Sequence, residues 1–417
     1  MVEKKNKTGG DGRKIKIRDM FLELPCFKVT LLIFIKKENM MKKGLLILII
    51  AALMIFFGNA AIAQDVVKLG ISEPMTGAMA VGGELCMQGY ELAHEQRPTV
   101  LGKPVEIILV DNKSDKVEAA SAVSRLIERD GVIGVFISYG SGMAIPGGEV
   151  ADKAGIPVIS GTATNPLVTQ GKDYVFRACF LDPFQGDVLA RYTYNDLGIS
   201  KVALLVDIAQ DYSVGMGNFY KKPFEEMGGE IVSDMKYNTG DQDFSAQLSQ
   251  IINSGAEALF FPGYFGDVAL IAIQGRELGF TGQYIGGDTL HNPTLIDLAG
   301  EAAEGLVAST FFVEDEVVLQ ENPEAEKFVK LFKEKYNESP NAVSVLTYDS
   351  YNLMLDAIER AGSLDPAAIR DAIAETKDFI GAGGSISIDE TGDAVKPAIL
   401  VKIVNGDYVY ETTIHPQ

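Results

Sequence analysis

Residues 132–143 read Val-Ile-Gly-Val-Phe-Ile-Ser-Tyr-Gly-Ser-Gly-Met, an apolar run that leads into a loop of small and polar residues. Nearly continuous apolar runs of this length are typical of parallel strands that helices cover on both faces. A helix is predicted next, near 146–154, and the loop amides between strand and helix face the edge where open α/β sheets bind ligands. The segment therefore predicts an α/β fold and a first candidate binding loop.

The alternation of strand-like runs with helical spacing continues along the chain in two series. The first series has strands predicted at 66–71, 105–110, 132–137 and 157–160 and helices at 85–93 and 117–127. The second series has strands predicted at 202–206, 231–233, 258–261 and 284–286 and helices near 214–227, 244–252 and 268–278. Each series has about the size of one doubly wound domain, so the sequence predicts two Rossmann-like halves.

The C-terminal part of the chain predicts further helices and a terminal hairpin. Helical spacing covers 328–336, 343–361 and 366–376, and strands are predicted at 386–388 and 398–404. Asn405-Gly406, directly before the next strand-like run, is a strong short-range signal for a two-residue hairpin turn.

Residues 40–63 are predicted to be a signal peptide. Two lysines precede an apolar run at 44–57, and Ala61 and Ala63 fit the small-x-small rule for cleavage. An uncleaved anchor is the alternative, since the apolar stretch approaches the length that spans a bilayer. No Cys follows the run, which argues against a lipoprotein, so a periplasmic protein is predicted. Residues 1–39 are either a leader extension or the result of a start codon assigned too far upstream.

The charge of the chain is unevenly distributed. Residues 1–63 hold 12 of the 37 Lys and Arg and 5 of the 57 Asp and Glu, so residues 64–417 carry 25 basic and 52 acidic residues. Such a negative body repels phosphate backbones, which argues against nucleic acid as a partner. The Cys and His residues show no metal-ligand spacing, and neither metal nor cofactor is predicted. Cys86 and Cys179 follow the leader, and the sequence leaves open a disulfide or two separate thiols.

Hydroxyl groups follow two neighbouring strands of the first half. Ser141 lies in the loop after 132–137, and Thr162 and Thr164 lie in the Gly-Thr-Ala-Thr-Asn-Pro segment after 157–160. Several neutral donors can hold a carboxylate without Lys or Arg, because hydrogen bonds to a charged group are strong. The structural alternatives are a turn with satisfied hydroxyls and a helix N-cap.

The second half carries Asp211-Tyr212, Gly263-Tyr264 and Gly287-Asp288, each predicted at the end of a strand. Tyr212 and Tyr264 are candidates for the wall of an apolar pocket with a π face toward a cation, and Asp288 is a candidate partner for an ammonium group. Taken singly, they are ordinary packing and turn residues. Taken together, an anion-binding rim in one half and a cation-binding rim in the other match the two ends of an α-amino acid.

With these motifs the sequence resembles the periplasmic branched-chain amino acid binding proteins of ABC transporters, which have the type I periplasmic binding protein fold. The resemblance covers nearly all of 66–410. Besides the two tyrosine segments, it rests on Pro-Met-Thr-Gly at 74–77, Gly-Ile-Pro-Val-Ile-Ser at 155–160, Ala-Thr-Asn-Pro at 163–166 and Asp-Phe-Ser at 243–245.

The resemblance implies a ligand clamped between two doubly wound lobes that three crossings of the chain join. The N-terminal lobe is predicted at 64–182 and 312–395, and the C-terminal lobe at 183–311 and 396–417. A monomer is expected, which hands its ligand to the permease subunits of an ABC transporter in the inner membrane.

The resemblance also assigns roles to the candidate residues. By position, the carboxylate binders correspond to Ser141 and Thr164, the ammonium binders to the Thr162 carbonyl and Asp288, and the pocket walls to Tyr212 and Tyr264. Some members place a Trp near the position of Gly82, whereas this chain has no Trp. The pocket is therefore expected to be larger or differently lined.

The predicted function is capture of a branched-chain or aliphatic amino acid without catalysis. The alternatives are a related ligand that lacks one charge, such as a short amide, urea or an aromatic acid, and a ligand-sensing module. A hydrolase or dehydrogenase is disfavoured because the sequence lacks Gly-x-Ser-x-Gly and Gly-x-Gly-x-x-Gly, and none of His94, His291 and His415 has a motif partner.

Overall fold

A computed structural model describes residues 66–416, so the predicted signal peptide at 40–63 and the segment 1–39 lie outside the described residues. Six strands form the first sheet: β1 (Val67–Glu73), β2 (Thr99–Val100), β3 (Lys103–Asp111), β4 (Gly134–Phe136), β5 (Val158–Ser160) and β6 (Val175–Arg177). Their order is β2-β3-β1-β4-β5-β6, and every pair is parallel except β2 with β3. This sheet confirms the parallel α/β arrangement predicted for the first half.

Three helices connect these strands: α1 (Ala80–Gln96), α2 (Lys116–Arg125) and α3 (Ser141–Ala154), with a π-helical turn over Leu126–Asp130 after α2. The predicted start of α3 near 146 was wrong, because Pro146 lies inside the helix although proline is usual in a first turn. The helix begins instead after Gly140, whose φ of 93° is in the left-handed region. Ser141 is therefore the first residue of a helix rather than part of a loop.

Seven strands form the second sheet: β7 (Lys201–Asp207), β8 (Glu230–Tyr237), β9 (Ala258–Phe260), β10 (Gln283–Gly286), β11 (Val307–Thr310), β14 (Ala398–Val404) and β15 (Asp407–Ile414). Their order is β15-β14-β11-β10-β9-β7-β8. β14 and β15 pair antiparallel through a turn in which Asn405 and Gly406 have φ values of 54° and 79°. The predicted hairpin is confirmed. A small separate hairpin pairs β12 (Phe379–Gly381) with β13 (Gly384–Ile386).

The remaining helices lie on and between the sheets: α4 (Asp182–Arg191), α5 (Asp211–Glu226), α6 (Ser245–Asn253), α7 (Phe265–Glu277), α8 (Pro293–Ala299), α9 (Glu316–Glu321), α10 (Pro323–Tyr336), α11 (Ala342–Ala361) and α12 (Pro366–Ala374). A π-helical turn covers Tyr192–Asp196, and 3-10 turns cover Pro166–Val168, Asp288–Leu290 and Gly300–Ala303. α4 packs on α5, whereas α11 packs on α1. The segment after β11 thus returns to the first sheet.

The chain passes between the two sheets three times. It leaves the first sheet after β6, returns to it after β11, and joins the second sheet again at β14. Two doubly wound lobes with a three-crossing hinge are therefore confirmed as the fold. We propose the predicted lobe limits, 64–182 with 312–395 and 183–311 with 396–417, since each lies within a few residues of a passage.

The short elements are where sequence patterns were least informative. β2, β6 and α4 were not predicted, and the strand predicted at 386–388 is split, since Ile388 forms only an isolated bridge with Ala394. Cys86 and Cys179 are both buried and free, so no disulfide joins them. No helix between residues 66 and 416 combines the length and the apolar character that spanning a bilayer requires.

Candidate ligand-binding site

The two lobes enclose a cavity at the facing edges of their sheets. The first lobe contributes Tyr139, Gly140, Ser141, Thr162, Thr164 and Val343 to its wall, and the second contributes Tyr212, Tyr264, Asp288, Thr289, His291 and Asn292. All six residues selected from the sequence therefore line one cavity. They meet because the carboxyl ends of parallel strands lie at one edge of a sheet, and the two edges face each other.

The first lobe offers hydrogen-bond donors to the cavity. Ser141 begins α3, and the first amides of a helix have no partner within it and carry the positive end of its dipole. The Ser141 hydroxyl accepts a bond from the Asn165 amide over 3.3 Å. Thr164 Oγ1 is buried and makes no hydrogen bond of normal geometry in the described chain, although the Asp182 carboxyl lies close enough to interact with it.

The Thr164 segment is fixed from behind by a buried arginine. Arg177, at the end of β6, donates to the carbonyls of Ala163 and Asn165, each over 2.9 Å. Its guanidinium also pairs with Asp393 from the third passage between the lobes, with 2.5 Å between Nε and Oδ1. These bonds hold the carbonyls on either side of Thr164. Sequence reasoning missed Arg177, because a three-residue strand that contains an arginine shows no periodic pattern.

The neighbouring loop is fixed by a buried carboxylate, which sequence reasoning also missed. Glu73 at the end of β1 accepts the amides of Ser138 and Tyr139 over 2.7 and 2.9 Å. Burial raises the pKa of Glu73 to about 7. The Thr162 hydroxyl donates to the Ser138 carbonyl over 2.8 Å, so the Thr162 side chain is already engaged within its own lobe.

The second lobe offers acceptors and aromatic rings. Asp288 follows β10 as predicted, and Tyr264 directly precedes α7. The prediction that Tyr212 follows its strand directly was wrong: β7 ends at Asp207, and Tyr212 lies in the first turn of α5. The turn between them carries the side chain to the cavity, where the rings of Tyr212 and Tyr264 lie 5.7 Å apart.

Asp288 is the acidic residue in the cavity wall. Within the described residues, its Oδ1 and the Tyr212 hydroxyl are buried without a hydrogen bond of normal geometry, although the Tyr212 and Gln185 side chains lie close enough to interact with the Asp288 carboxyl group. Burial raises the pKa of Asp288 to about 6 and that of the Tyr212 phenol well above its usual value. A buried carboxylate with an unused oxygen is costly unless a cation or donor meets it.

A second carboxyl group lies behind Asp288. Gln185 links the two, because its Oε1 accepts the Asp288 amide over 2.7 Å and its Nε2 donates to Asp182 over 3.3 Å. Ser309 on β11 donates to the same Gln185 oxygen over 2.6 Å. Burial, and next the charge of Asp288, raise the pKa of Asp182 to about 8. Neither Asp182 nor Gln185 was selected from the sequence.

A model of the periplasmic binding protein family matches residues 66–407. This chain belongs to the periplasmic binding protein family. It is 31% identical over 365 residues to Leu/Ile/Val-binding protein homolog 1 of Brucella suis, an alignment that covers 86% of this chain and 96% of that protein. The family consists of solute-binding proteins and is not a class of enzymes.

Two crystal structures of branched-chain amino acid binding proteins are similar to this periplasmic binding protein. The leucine binding protein LivK of Thermotoga maritima has 42% identity and a TM-score of 0.82, with 84% of this chain and 99% of that chain covered. LivJ of Streptococcus pneumoniae, in complex with isoleucine, has 31% identity and a TM-score of 0.79, with 84% and 100% covered. The resemblance inferred from the sequence motifs is confirmed.

The two lobes of this periplasmic binding protein touch at the rim of the cavity. Lys116 of the first lobe forms an ion pair with Asp211 of the second, with 2.7 Å between Nζ and Oδ2. Asn165 Nδ2 donates to the Asp211 carbonyl over 3.0 Å. The rings of Tyr139 and Tyr264 meet with centroids 5.7 Å apart. The structure is therefore the closed form of the cleft.

Several cavity residues of the binding protein were not selected from the sequence. His291 is half-buried, its Nδ1 lies 2.8 Å from Thr310 Oγ1, and burial lowers its pKa to about 4. Its ring is therefore neutral at pH 7. Within residues 66–416 no group of three or more His, Cys, Asp or Glu is placed to hold a metal ion. The cavity thus offers uncharged donors on one side and a carboxylate on the other.

Proposed function

We propose that this protein captures an α-amino acid with an aliphatic side chain between its lobes and delivers it to the permease of an ABC transporter. The observation that carries the proposal is the opposed polarity of one closed cavity. The first lobe presents the Ser141 amide and the Thr164 hydroxyl, and the second presents the Asp288 carboxylate. A zwitterion satisfies both sides at once.

The ligand's carboxylate is assigned to the first lobe. The α3 terminus and the Thr164 hydroxyl are neutral donors, and neutral donors bind a carboxylate strongly because the acceptor is charged. No Lys or Arg is among the described residues that line the cavity. Arg177, buried behind the wall, is engaged with Asp393 and the loop carbonyls, so it supports the donor loop instead of contacting the ligand.

The ligand's ammonium group is assigned to Asp288, with the Thr162 carbonyl and the Tyr212 and Tyr264 rings around it. The cation supplies a charged partner for Asp288 Oδ1, which makes no hydrogen bond of normal geometry within the described chain. It also removes the cost of burying the carboxylate uncompensated. Tyr212 and Tyr264 can turn their π faces toward the ammonium group, which adds a weaker attraction.

Closure of the lobes follows from the same contacts. A ligand shifts a protein toward the state in which it has more favourable contacts, and here the two charged ends meet different lobes. The closed form therefore gains both sets of contacts, whereas an open form keeps one. Rim contacts such as Lys116 with Asp211 add to closure, and the passages between the lobes serve as the hinge.

Localisation and partners follow the family. Periplasmic binding proteins act outside the cytoplasm, so we assign the predicted leader at 40–63 to export and the mature chain to the periplasm as a monomer. The ligand is then released to the permease subunits in the inner membrane. We assign no chemical step to the protein.

Binding of a ligand panel tests the proposal. The full chain is exported with its own leader, purified, unfolded and refolded to remove bound ligand, and titrated calorimetrically. The panel contains L-leucine, L-isoleucine, L-valine and L-alanine, with leucinamide and 4-methylpentanoate as analogues that each lack one charge. Urea and benzoate represent the alternative ligands. Tight binding of amino acids and weak binding of both analogues is expected. Selective binding of urea, benzoate or 4-methylpentanoate would overturn the amino acid assignment.

A further inference from the structure

The ring of Tyr139 occupies the place where a side chain at position 82 would begin. A β-carbon built on Gly82 would lie 2.1 Å from Tyr139 Cε1 and 2.2 Å from Cζ, far inside van der Waals contact. Gly82 lies in α1 and does not have a positive φ. Glycine is therefore required at this position because the Tyr139 ring leaves no space for a side chain, and not because of the backbone conformation.

Tyr139 is held on its other sides as well. Its amide donates to Glu73 Oε2 over 2.9 Å, which fixes the backbone from which the ring projects. Its ring faces Tyr264 of the second lobe at 5.7 Å, and the residue is only 4% exposed. The ring is thus confined between α1 of its own lobe and an aromatic ring of the other, and it forms part of the cavity wall.

Tyr139 lies on the part of the cavity wall that remains for the side chain of the ligand. The charged ends of the proposed amino acid are taken by Ser141 and Thr164 on one side and by Asp288 on the other. The first lobe's remaining side chains in the wall, besides Thr162, are those of Tyr139 and Val343. Tyr139 is the larger of these two, so its ring occupies most of the space on this wall.

We propose that Tyr139 is a specificity-determining residue that limits the size of the ligand's side chain, and that Gly82 is the complementary position that admits its ring. This inference rests on the proposed function, since it assumes an amino acid in the cavity. Discrimination by one methylene in an apolar pocket is about 10- to 200-fold. Removing a phenol ring next to a residue without a side chain opens more space than one methylene occupies.

A double-mutant cycle tests the proposal. Calorimetric affinities for L-valine and L-phenylalanine are measured on the wild type, Gly82→Ala, Tyr139→Ala and the double variant. Tyr139→Ala is expected to raise the affinity ratio of phenylalanine to valine at least about tenfold. With Tyr139 present, Gly82→Ala is expected to weaken the binding of both ligands, because the Tyr139 ring must move into the cavity. In the Tyr139→Ala background it is expected to have little effect.

Two further variants keep the result decisive. Gly266→Ala changes a helical glycine with no atom near its added carbon and is the matched control for Gly82→Ala. Tyr139→Leu replaces Tyr139→Ala if thermal melts show that the alanine variant is unfolded. An unchanged affinity ratio in a folded Tyr139 variant, or equal effects of Gly82→Ala in both backgrounds, would overturn this inference and leave the proposed function intact. Failure of the wild type to bind any amino acid would instead overturn the proposed function.

Discussion

Asp182 and Asp288 share one side chain, Gln185, which donates to the first carboxyl group over 3.3 Å and accepts the amide of the second over 2.7 Å. The two carboxyl groups are thereby held near each other in a buried region next to the ligand cavity. Like charges in such a setting disfavour simultaneous ionisation, and the pKa of Asp182 is raised to about 8 by burial and by the charge of Asp288.

Asp182→Asn is expected to remove a pH-dependent loss of stability. The pKa of Asp182 is raised from 3.8 to about 8 in the folded protein. Between these values the native state holds a proton that the unfolded chain has released. The free energy of unfolding therefore falls as the pH rises through this window, by at most about 1.4 kcal/mol per pH unit for one group.

Urea unfolding of the wild type and Asp182→Asn at several pH values between 5 and 8 measures this slope. The variant is expected to gain stability relative to the wild type as the pH rises. Asp187→Asn, on the exposed part of the same helix α4, is the control and is expected to follow the wild type. Parallel curves for wild type and Asp182→Asn would contradict the assignment of this proton.

Asp288→Asn is expected to abolish measurable amino acid binding while the thermal midpoint of the free protein stays within a few degrees. Leaving one member of a buried charge pair without its partner costs about 2–5 kcal/mol of binding. Calorimetry and thermal melts on the same preparation measure the two quantities. Affinity for 4-methylpentanoate, which has no ammonium group, is expected to change less. An unchanged affinity for leucine would remove Asp288 from the ammonium site.

Amino acid affinity is expected to fall at acidic pH. Burial raises the pKa of Asp288 to about 6, and only the ionised carboxylate attracts an ammonium group. Below this value the ligand must displace a proton, so the apparent affinity is expected to fall by nearly tenfold per pH unit. Titrations between pH 4.5 and 7.5 measure the slope, and a flat profile would rule out ionised Asp288 as the partner.

Ser141→Ala combined with Thr164→Val is expected to weaken the binding of amino acids far more than the binding of their amides. The two hydroxyls lie on the side assigned to the carboxylate, and an amide lacks the negative charge that strengthens their hydrogen bonds. The ratio of leucine to leucinamide affinity is the quantity to measure. Equal losses for both ligands would show that the hydroxyls do not recognise a carboxylate.

Lys116→Ala is expected to weaken ligand binding by no more than a few-fold. The ion pair of Lys116 with Asp211 closes the rim, but its side chains are 49% and 39% exposed, and exposed pairs contribute about 0.2–1 kcal/mol. The difference from wild type is expected to shrink at high salt. Lys153→Ala, which removes a pair with Glu149 inside helix α3, is the control. A loss above tenfold would mean that rim contacts dominate closure.

The elements that the sequence predicted well are those with strong local patterns. The nearly continuous apolar run at 132–137 contains the buried strand β4, and Asn405-Gly406 makes the hairpin turn that it predicts. Short elements such as β6 were not predicted, because three residues that include Arg177 form no periodic pattern. The start of α3 was predicted wrongly at Pro146, because the helix contains this proline in its interior.

The candidate site divides in the same way. Ser141, Thr162, Thr164, Tyr264 and Asp288 were recognisable because each lies near the end of a strand, and strand ends converge at one edge. The residues that support the site from behind were not recognisable, because in the sequence a buried acid such as Glu73 or Asp182 looks like an ordinary surface acid. Their partners are distant in the chain: Gln185 bonds to Ser309, 124 residues away.

The order of apolar runs, helical spacing and strand-end polar residues was thus enough to determine two α/β lobes and half of the residues that line the cavity between them. Local periodicity carries that information, because each strand or helix is encoded within about 5–20 neighbouring residues. Only the tertiary structure decided which buried charges support the loops, that the two cysteines stay free, and that Tyr139 fills the space beside Gly82. Those outcomes depend on distances between segments far apart in the chain, which hydrophobic periodicity does not encode.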